Sequence, residues 1–557
     1  MADSIEATEP GARGGLSHRQ ILTVLSGLMM GMFLAALDQT IVSSAMKTIA
    51  DELHGQTLQA WATTAYLITA TISTPLYGKL SDLYGRKPMY LTAISLFLAG
   101  SLASGFAGSM YELAAFRAFQ GLGAGGLMSL ALAIVADITA PRERGRYQGY
   151  FMAVFGVSSV LGPVVGGAFA GLDSFAGLAG WRWVFLINVP VALIALVVVT
   201  RVLNIPHTRV EQRVDYVGAA TLTVGLVPLL IVAEQGREWG WGSLTAVLMY
   251  LVGAAGLVAF VLNERRMGDA ALLPLRLFRR PAFALSTVVT FVQGAGMFGA
   301  MMSLPLYLQI VKGATPTEAG LQLLPLTAGI MVASLLSGRI VASTGRYKIF
   351  GVLGLGLMAA AMFLFSTIGV DTPLAIVMAM AFLMGLGLGG AFQTLQLAAQ
   401  NDVDPSDLGV ATSSTTFFRQ IGGTAGTAVF LSVLFGSVGD RIVAAVAQAA
   451  AGLSGPAYAA ALANPANAEF AARLSSGQLD LNDTSFLNGL DPVLARPILE
   501  GFSSAMSTVF LVGGVLLVAG FVLLWFLRET PLADKSALEL RQEAEDNEVR
   551  PVPALAH

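Results

Sequence analysis

One stretch rules out a soluble fold for this chain: Gly78-Lys79-Leu80-Ser81-Asp82-Leu83-Tyr84-Gly85-Arg86-Lys87-Pro88, a charged hinge between two apolar runs. The runs Ala60 to Tyr77 and Met89 to Ala107 carry no ionised side chain. Each is long enough to cross a hydrocarbon core of ~30 Å at about 1.5 Å per residue. The hinge therefore reads as a tight loop at one membrane face, with glycines permitting the reversal and Lys79, Arg86 and Lys87 marking the cytoplasmic side.

The hinge has a weaker echo at Gly338-Arg339-Ile340-Val341-Ala342-Ser343-Thr344-Gly345-Arg346, where Ala342 stands in place of Asp82. A second echo pairs Gly121-Leu122-Gly123-Ala124-Gly125-Gly126 with Gly385-Leu386-Gly387-Leu388-Gly389-Gly390, with Arg117 matched by Ala381. The chain thus contains two related halves, with Asp82 and Arg117 carried by the first copy alone. Repeats of this kind are a plan used by secondary transporters.

Over 557 residues, 55% are hydrophobic and only 12% are charged, which fits an all-α polytopic membrane protein. The apolar periodicity predicts fourteen transmembrane helices. A cytoplasmic tail, 1–20, precedes the first six helices, 21–203, and an inserted pair with a basic interfacial linker, 204–281. Five more helices, 282–435, an external segment, 436–503, a last helix, 504–527, and a cytoplasmic tail, 528–557, follow. The linker reads as ordinary anchoring on the inner leaflet. With both termini inside, about three-quarters of the Lys and Arg fall on the cytoplasmic side, which orients the chain in a plasma membrane. The first twenty residues hold Asp3, Glu6 and Glu9 and lack a basic signal-peptide start, so the first helix is expected to be retained.

Zero cysteines and four histidines in tails or loops argue against metal, haem or iron–sulfur chemistry, and no cofactor is expected. A nucleophile–base pair and a phosphate-binding loop are both missing from the sequence, which argues against an enzyme and against internal ATP hydrolysis. An ionised residue at a helix centre costs about 2.5–3.5 kcal/mol, so Asp38, Arg117 and Arg419 each need a reason to be there. Asp38 and Arg117 fall at similar depth, roughly 10 Å below the outer face, and can meet if their helices adjoin. A carboxyl beside a fixed guanidinium is the minimal apparatus of proton exchange. On the fifth helix Gly156, Gly162, Pro163, Gly166 and Gly167 combine close-approach glycines with a kink. Gln293, Gln309, Gln393, Gln396 and Arg419, with Met297, Met301, Met302 and Phe298, suit an adaptable apolar cavity with sparse polar points, and packing is the alternative reading.

Six stretches in order resemble the signatures of the major facilitator superfamily, specifically its fourteen-helix drug:proton antiporter branch. They are Leu37–Val42, Gly78–Pro88, Arg117–Gly126, Gly156–Gly167, Trp181–Pro190 and Arg419–Gly423. The resemblance implies two six-helix bundles around a cavity of alternating access, in a monomer that exports small amphipathic substrates against protons within a lipid bilayer and binds no nucleic acid. It implies a cytoplasmic gate of Gly78, Asp82, Gly85, Arg86 and Asp137, in which Asp82 docks on the helix start at Ser406-Asp407-Leu408 and Arg86 and Asp137 form a charge relay. Asp402, Asp404 and Asp407 crowd that start, so docking needs Arg86 or Lys79 to intervene. Export of a lipid or an endogenous metabolite fits nearly as well. A proton-coupled importer leaves the fifth-helix motif without a reason.

Overall fold

The computed structural model describes residues 17–55, 58–204, 213–451, 455–464, 467, 490–533 and 535–540. Of the expected tails and external segment, residues 1–16, 452–454, 465–466, 468–489, 534 and 541–557 lie outside the described residues. The first half comprises α1 (His18–Glu52), α2 (Gln59–Tyr84), α3 (Arg86–Gly105), α4 (Met110–Ile138), α5 (Pro141–Ala170), α6 (Trp183–Leu186) and α7 (Asn188–Val202). The inserted pair is α8 (Tyr216–Trp239) and α9 (Leu244–Met267). The second half comprises α10 (Pro281–Leu306), α11 (Pro316–Gln322), α12 (Leu324–Thr344), α13 (Lys348–Phe365), α14 (Leu374–Asn401), α15 (Leu408–Ala451), α16 (Gly455–Ala463) and α17 (Pro492–Trp525). A two-stranded hairpin, Ser174–Phe175 with Leu178–Ala179, precedes α6.

Helix starts follow local capping chemistry. Ser17 and Gln20 form a capping box on α1, Thr315 and Glu318 form one on α11, and Asp215 accepts from Gly218 N at 2.7 Å to cap α8. Among the described residues, thirteen helices are long and apolar enough to cross a membrane. The expected fourteenth, α2, has the length but is diluted by five threonines. Three of them return their hydroxyl to a carbonyl four residues back: Thr69 to Ala65, Thr71 to Leu67 and Thr74 to Ala70.

Helix packing repeats between the halves. The pairs α2–α4, α3–α4 and α1–α5 in the first half correspond to α12–α14, α13–α14 and α10–α15 in the second. The inserted α8 and α9 pack on each other, and α8 touches α2 and α15. Across the halves, α5 lies along α12 and α2 lies along α15, which are again equivalent pairings.

Several boundaries depart from the periodicity. The helix expected to end at 435 continues as α15 to Ala451, and α17 starts at Pro492 rather than 504. Alanine-rich sequence satisfies its own backbone as helix whether or not lipid surrounds it. The far part of α15 packs on α17, with Arg441 Nη1 donating to Ser504 Oγ at 3.1 Å. The hinge is also shorter than expected, because α2 runs unbroken through Gly78 to Tyr84. Only Gly85, at φ 96°, makes the turn into α3.

Candidate functional site

Four elements build a buried polar cluster in the first half. Asp38 on α1 is fully buried, and its Oδ2 accepts from Arg117 Nη1 on α4 at 2.5 Å. Its Oδ1 accepts from Gln120 Nε2 at 2.9 Å and from Asn188 Nδ2, at the start of α7, at 2.8 Å. Gln120 closes a ring by accepting from Arg117 Nη1 at 2.8 Å, and Asn188 also donates to Ser101 Oγ on α3 at 3.0 Å. The Arg117 guanidinium lies 4.1 Å over the Tyr66 ring of α2. Every partner of Asp38 is a donor, so the cluster is built around its ionised form.

The two charges meet, although the depth estimate behind that expectation was wrong for α1. That helix runs to Glu52, fourteen residues beyond Asp38 rather than seven, while Arg117 is seven residues into α4. Sequence reasoning quoted Gln120 and Asn188 inside motifs but did not single them out. Gln120 could have been found, because it sits one turn from Arg117 on the same helix face.

The fifth-helix motif divides its work. Gly162 and Gly166, four residues apart, press α5 against Thr40, Ile41 and Ser44 of α1, just beyond Asp38. Thr40 Oγ1 also donates to Ser158 O at 3.0 Å. Gly156 faces Thr327 of α12, and Pro163 lies near Gly320 of α11, so those positions look across to the second half. Gly167 packs against nothing.

At the hinge end, Asp82 reaches the second half. Its Oδ2 accepts from Val410 N, in the first turn of α15, at 3.1 Å. Gly78 lies against Ser413 and the Gly409 carbonyl, where no side chain would fit, so this glycine serves close approach rather than reversal. Arg86 joins the site on both sides: Nη1 to Asp82 Oδ1 at 2.7 Å, and Nε to Asp137 Oδ2 at 2.6 Å. It also donates to Ser81 Oγ.

The acids crowding the α15 start are neutralised by residues the sequence reading passed over. Arg276, in the linker before α10, grips Asp407 with two bonds of 2.7 and 2.9 Å and bonds Asp269 at 2.6 Å. The hydrogen bonds it donates to Asp407 and then Asp269 hold its guanidinium above its already high ordinary value. Arg280 pairs with Asp404 at 3.0 Å, and Asp402 Oδ2 accepts from Phe283 N at 3.2 Å. Lys79 donates to Asp269 O at 2.8 Å. The linker read as plain anchoring is therefore a clamp on the α15 start, because its arginines find carboxylates that bind more specifically than a lipid surface.

The candidate cavity residues separate. Gln393 donates to Gly145 O of α5 at 3.0 Å and to Ser334 O at 2.8 Å, and accepts from Ser337 Oγ at 2.9 Å. Its amide thus bridges the halves through Gly145 and lines a small pocket between them with Arg144, Gln148 and Tyr347. Gln309 sits in a π-helical turn, Tyr307–Val311, after α10. Gln293, Gln396 and Arg419 are buried on α10, α14 and α15.

The chain is 33% identical to the multidrug transporter protein MdtP of Bacillus subtilis, over 96% of this chain and 97% of that one. It is 43% identical to a tetracycline resistance determinant of Streptomyces rimosus, over 59% of this chain and 95% of that one. Among solved structures, the proton:xylose symporter XylE shares the fold with a TM-score of 0.60 at 16% identity, over 95% of this chain and 100% of that one. Its repeated halves, its buried intramembrane charges and this kinship agree: the chain belongs to the Major Facilitator Superfamily, whose sequence model it matches over residues 28–427.

Proposed function

We propose that this membrane transporter is a proton-driven antiporter that exports amphipathic or cationic compounds, drugs among them, from the cytoplasm by alternating access. The observation that carries the reading is the Asp38 cluster. Protonating Asp38 would remove the reason for Arg117 to stay on it, and Arg117 would retain Gln120 and the Tyr66 face. The cluster thus has two arrangements, one for each protonation state. Because α5 is keyed to α1 through Thr40 and Ser44, and to α12 through Gly156, a shift at Asp38 is passed to the contact between the halves.

In this reading Asp82, Arg86, Asp137 and Val410 form the cytoplasmic gate, closed in this structure, and both termini are cytoplasmic. Relatives named as a multidrug transporter and as a tetracycline resistance determinant support export of toxic compounds. Export of a lipid or an endogenous metabolite would use the same machinery.

The test is uptake of ethidium into inverted vesicles under an imposed proton gradient. Asp38→Asn keeps the shape and removes the titration, so accumulation should fall to background while substrate binding survives. Asp38→Glu should keep part of the activity, and Arg117→Lys little, since a buried ammonium can lose its own proton. Full accumulation by Asp38→Asn would overturn the assignment.

A further inference from the structure

The two buried arginines of the membrane core are treated differently. Arg117 has Asp38, whereas Arg419 on α15 has no acidic partner among the described residues. Its Nη2 reaches Gln396 Oε1 only at 3.5 Å, its Cζ lies 3.9 Å over the Phe392 ring, and its Nε has no hydrogen-bond partner. A desolvated guanidinium without a counter-charge is strongly unfavourable, so such a group calls for an anion that arrives from elsewhere.

The surroundings point the same way. On α10, Ser286, Thr290 and Gln293 are all buried, and neither hydroxyl nor either amide atom of Gln293 has a partner. Their spacing of four and three residues places them in one stripe on one helix face. The stripe ends level with Arg419, because Gly294, the residue after Gln293, packs on the Arg419 backbone. On α14, Gln396 spends its Oε1 on Thr415 at 2.8 Å, and its Nε2 has no partner. The groups left over along the stripe and at its end are a guanidinium N–H, two amide NH2 groups, two hydroxyls and one acceptor, Gln293 Oε1, so donors outnumber acceptors. Ordinary packing would leave them satisfied within the protein.

We propose that Arg419, with Gln396 and Gln293, is an anion-binding site at mid-depth in the second half, which takes the carboxylate, phenolate or enolate group of an amphipathic solute. Arg419 lies eleven residues into α15, roughly 16 Å from its start, which is too deep for a lipid headgroup at the hinge-end face. The Phe392 ring lies beside the guanidinium, offering an apolar surface to the rest of the solute. This inference rests on the exporter reading and adds a subsite to it: the solutes held at Arg419 carry a negative group, as an anion or as half of a zwitterion, while a pure cation such as ethidium is carried without it.

The experiment compares equilibrium binding of fluorescein, an anion, and ethidium, a cation, to the full-length protein in phosphatidylcholine nanodiscs, read by fluorescence anisotropy. The wild type should bind fluorescein saturably. Arg419→Gln should weaken fluorescein by roughly ten- to a hundredfold, the loss of one charge-assisted contact, and so shift the ratio of the two affinities at least roughly tenfold. Arg419→Lys, which keeps the charge, should recover part of that shift. Melting temperatures of the variants separate unfolding from lost recognition, and Gln293→Leu offers a second route if Arg419→Gln does not fold. No saturable fluorescein binding by the wild type, or equal weakening of both dyes in folded variants, overturns the proposal. A wild type that binds fluorescein but pumps neither dye under a proton gradient would sink the exporter reading and leave this site standing.

Discussion

The halves meet at two seams at the hinge end, related by the internal repeat but differing in what holds them. Where α2 meets α15 the close approach of Gly78 to Gly409 is reinforced by charge: Asp82 sits on the Val410 amide, Arg86 holds Asp82, and linker arginines cover the neighbouring acids. Where α12 meets α5, Ala342 stands in the place of Asp82 and the contact is backbone against backbone. Gly338 lies directly on Gly145, and the Gln393 amide bridges to the Gly145 carbonyl. A charged contact on a helix start can open when water or a new charge competes for it, whereas interlocked glycine backbones can only rock. The α2–α15 seam is then suited to release and the α5–α12 seam to act as the pivot.

The most damaging change should be at the pivot. Gly338→Leu forces a side chain into the Gly145 backbone, so efflux should vanish and thermal stability should fall with it, by about 1–3 kcal/mol. Normal efflux with an unshifted melting temperature would mean that the halves do not meet there during transport.

At the other seam Asp82→Asn should leave folding intact and cut efflux roughly tenfold, as expected for one lost charge-assisted bond across a moving contact. Ala342→Asn should change little. Equal effects of the two would erase the distinction between the seams.

A smaller loss, a few-fold in efflux, is expected for Arg276→Ala, because Arg276 is 40% exposed and solvent screens its pair. Adding Asp407→Asn should restore activity, since the unpaired acid would be gone; an additive loss in the double variant would show that Arg276 acts elsewhere. The smallest effect belongs to Gly167→Ala, whose side chain would meet open space, so ethidium efflux should match the wild type. A marked loss there would show that α5 packs differently in another state of the cycle.

The two halves, the helices and the need of Asp38 and Arg117 for partners were legible because membrane burial leaves a strong signal in sequence. Long uncharged runs can do little else, and a charge inside one needs a partner. The clamp on α15 was not legible. Arg276 and Asp407 are 131 residues apart, and a basic loop reads the same whether it faces phospholipid or carboxylates. The bridge from Gln393 to Gly145 was not legible either, because a polar residue in an apolar helix does not reveal that it bonds a carbonyl of the opposite half. Gly78 was read as a turn residue because glycine marks both turns and close packing, and only the neighbouring helix decides between them.

The length of α15 has a mechanical consequence. Its first turn receives Asp82, and its 44 residues run without a break for roughly 66 Å. It is a lever with its catch at one tip. Tilting it by about 10° about that end would sweep the other by roughly 11 Å, with the far part of α17 drawn along through Arg441 and Ser504. An event at a single carboxylate is thereby written large on the opposite face of the molecule, where a spectroscopic label near Ala450 would report each opening of the catch.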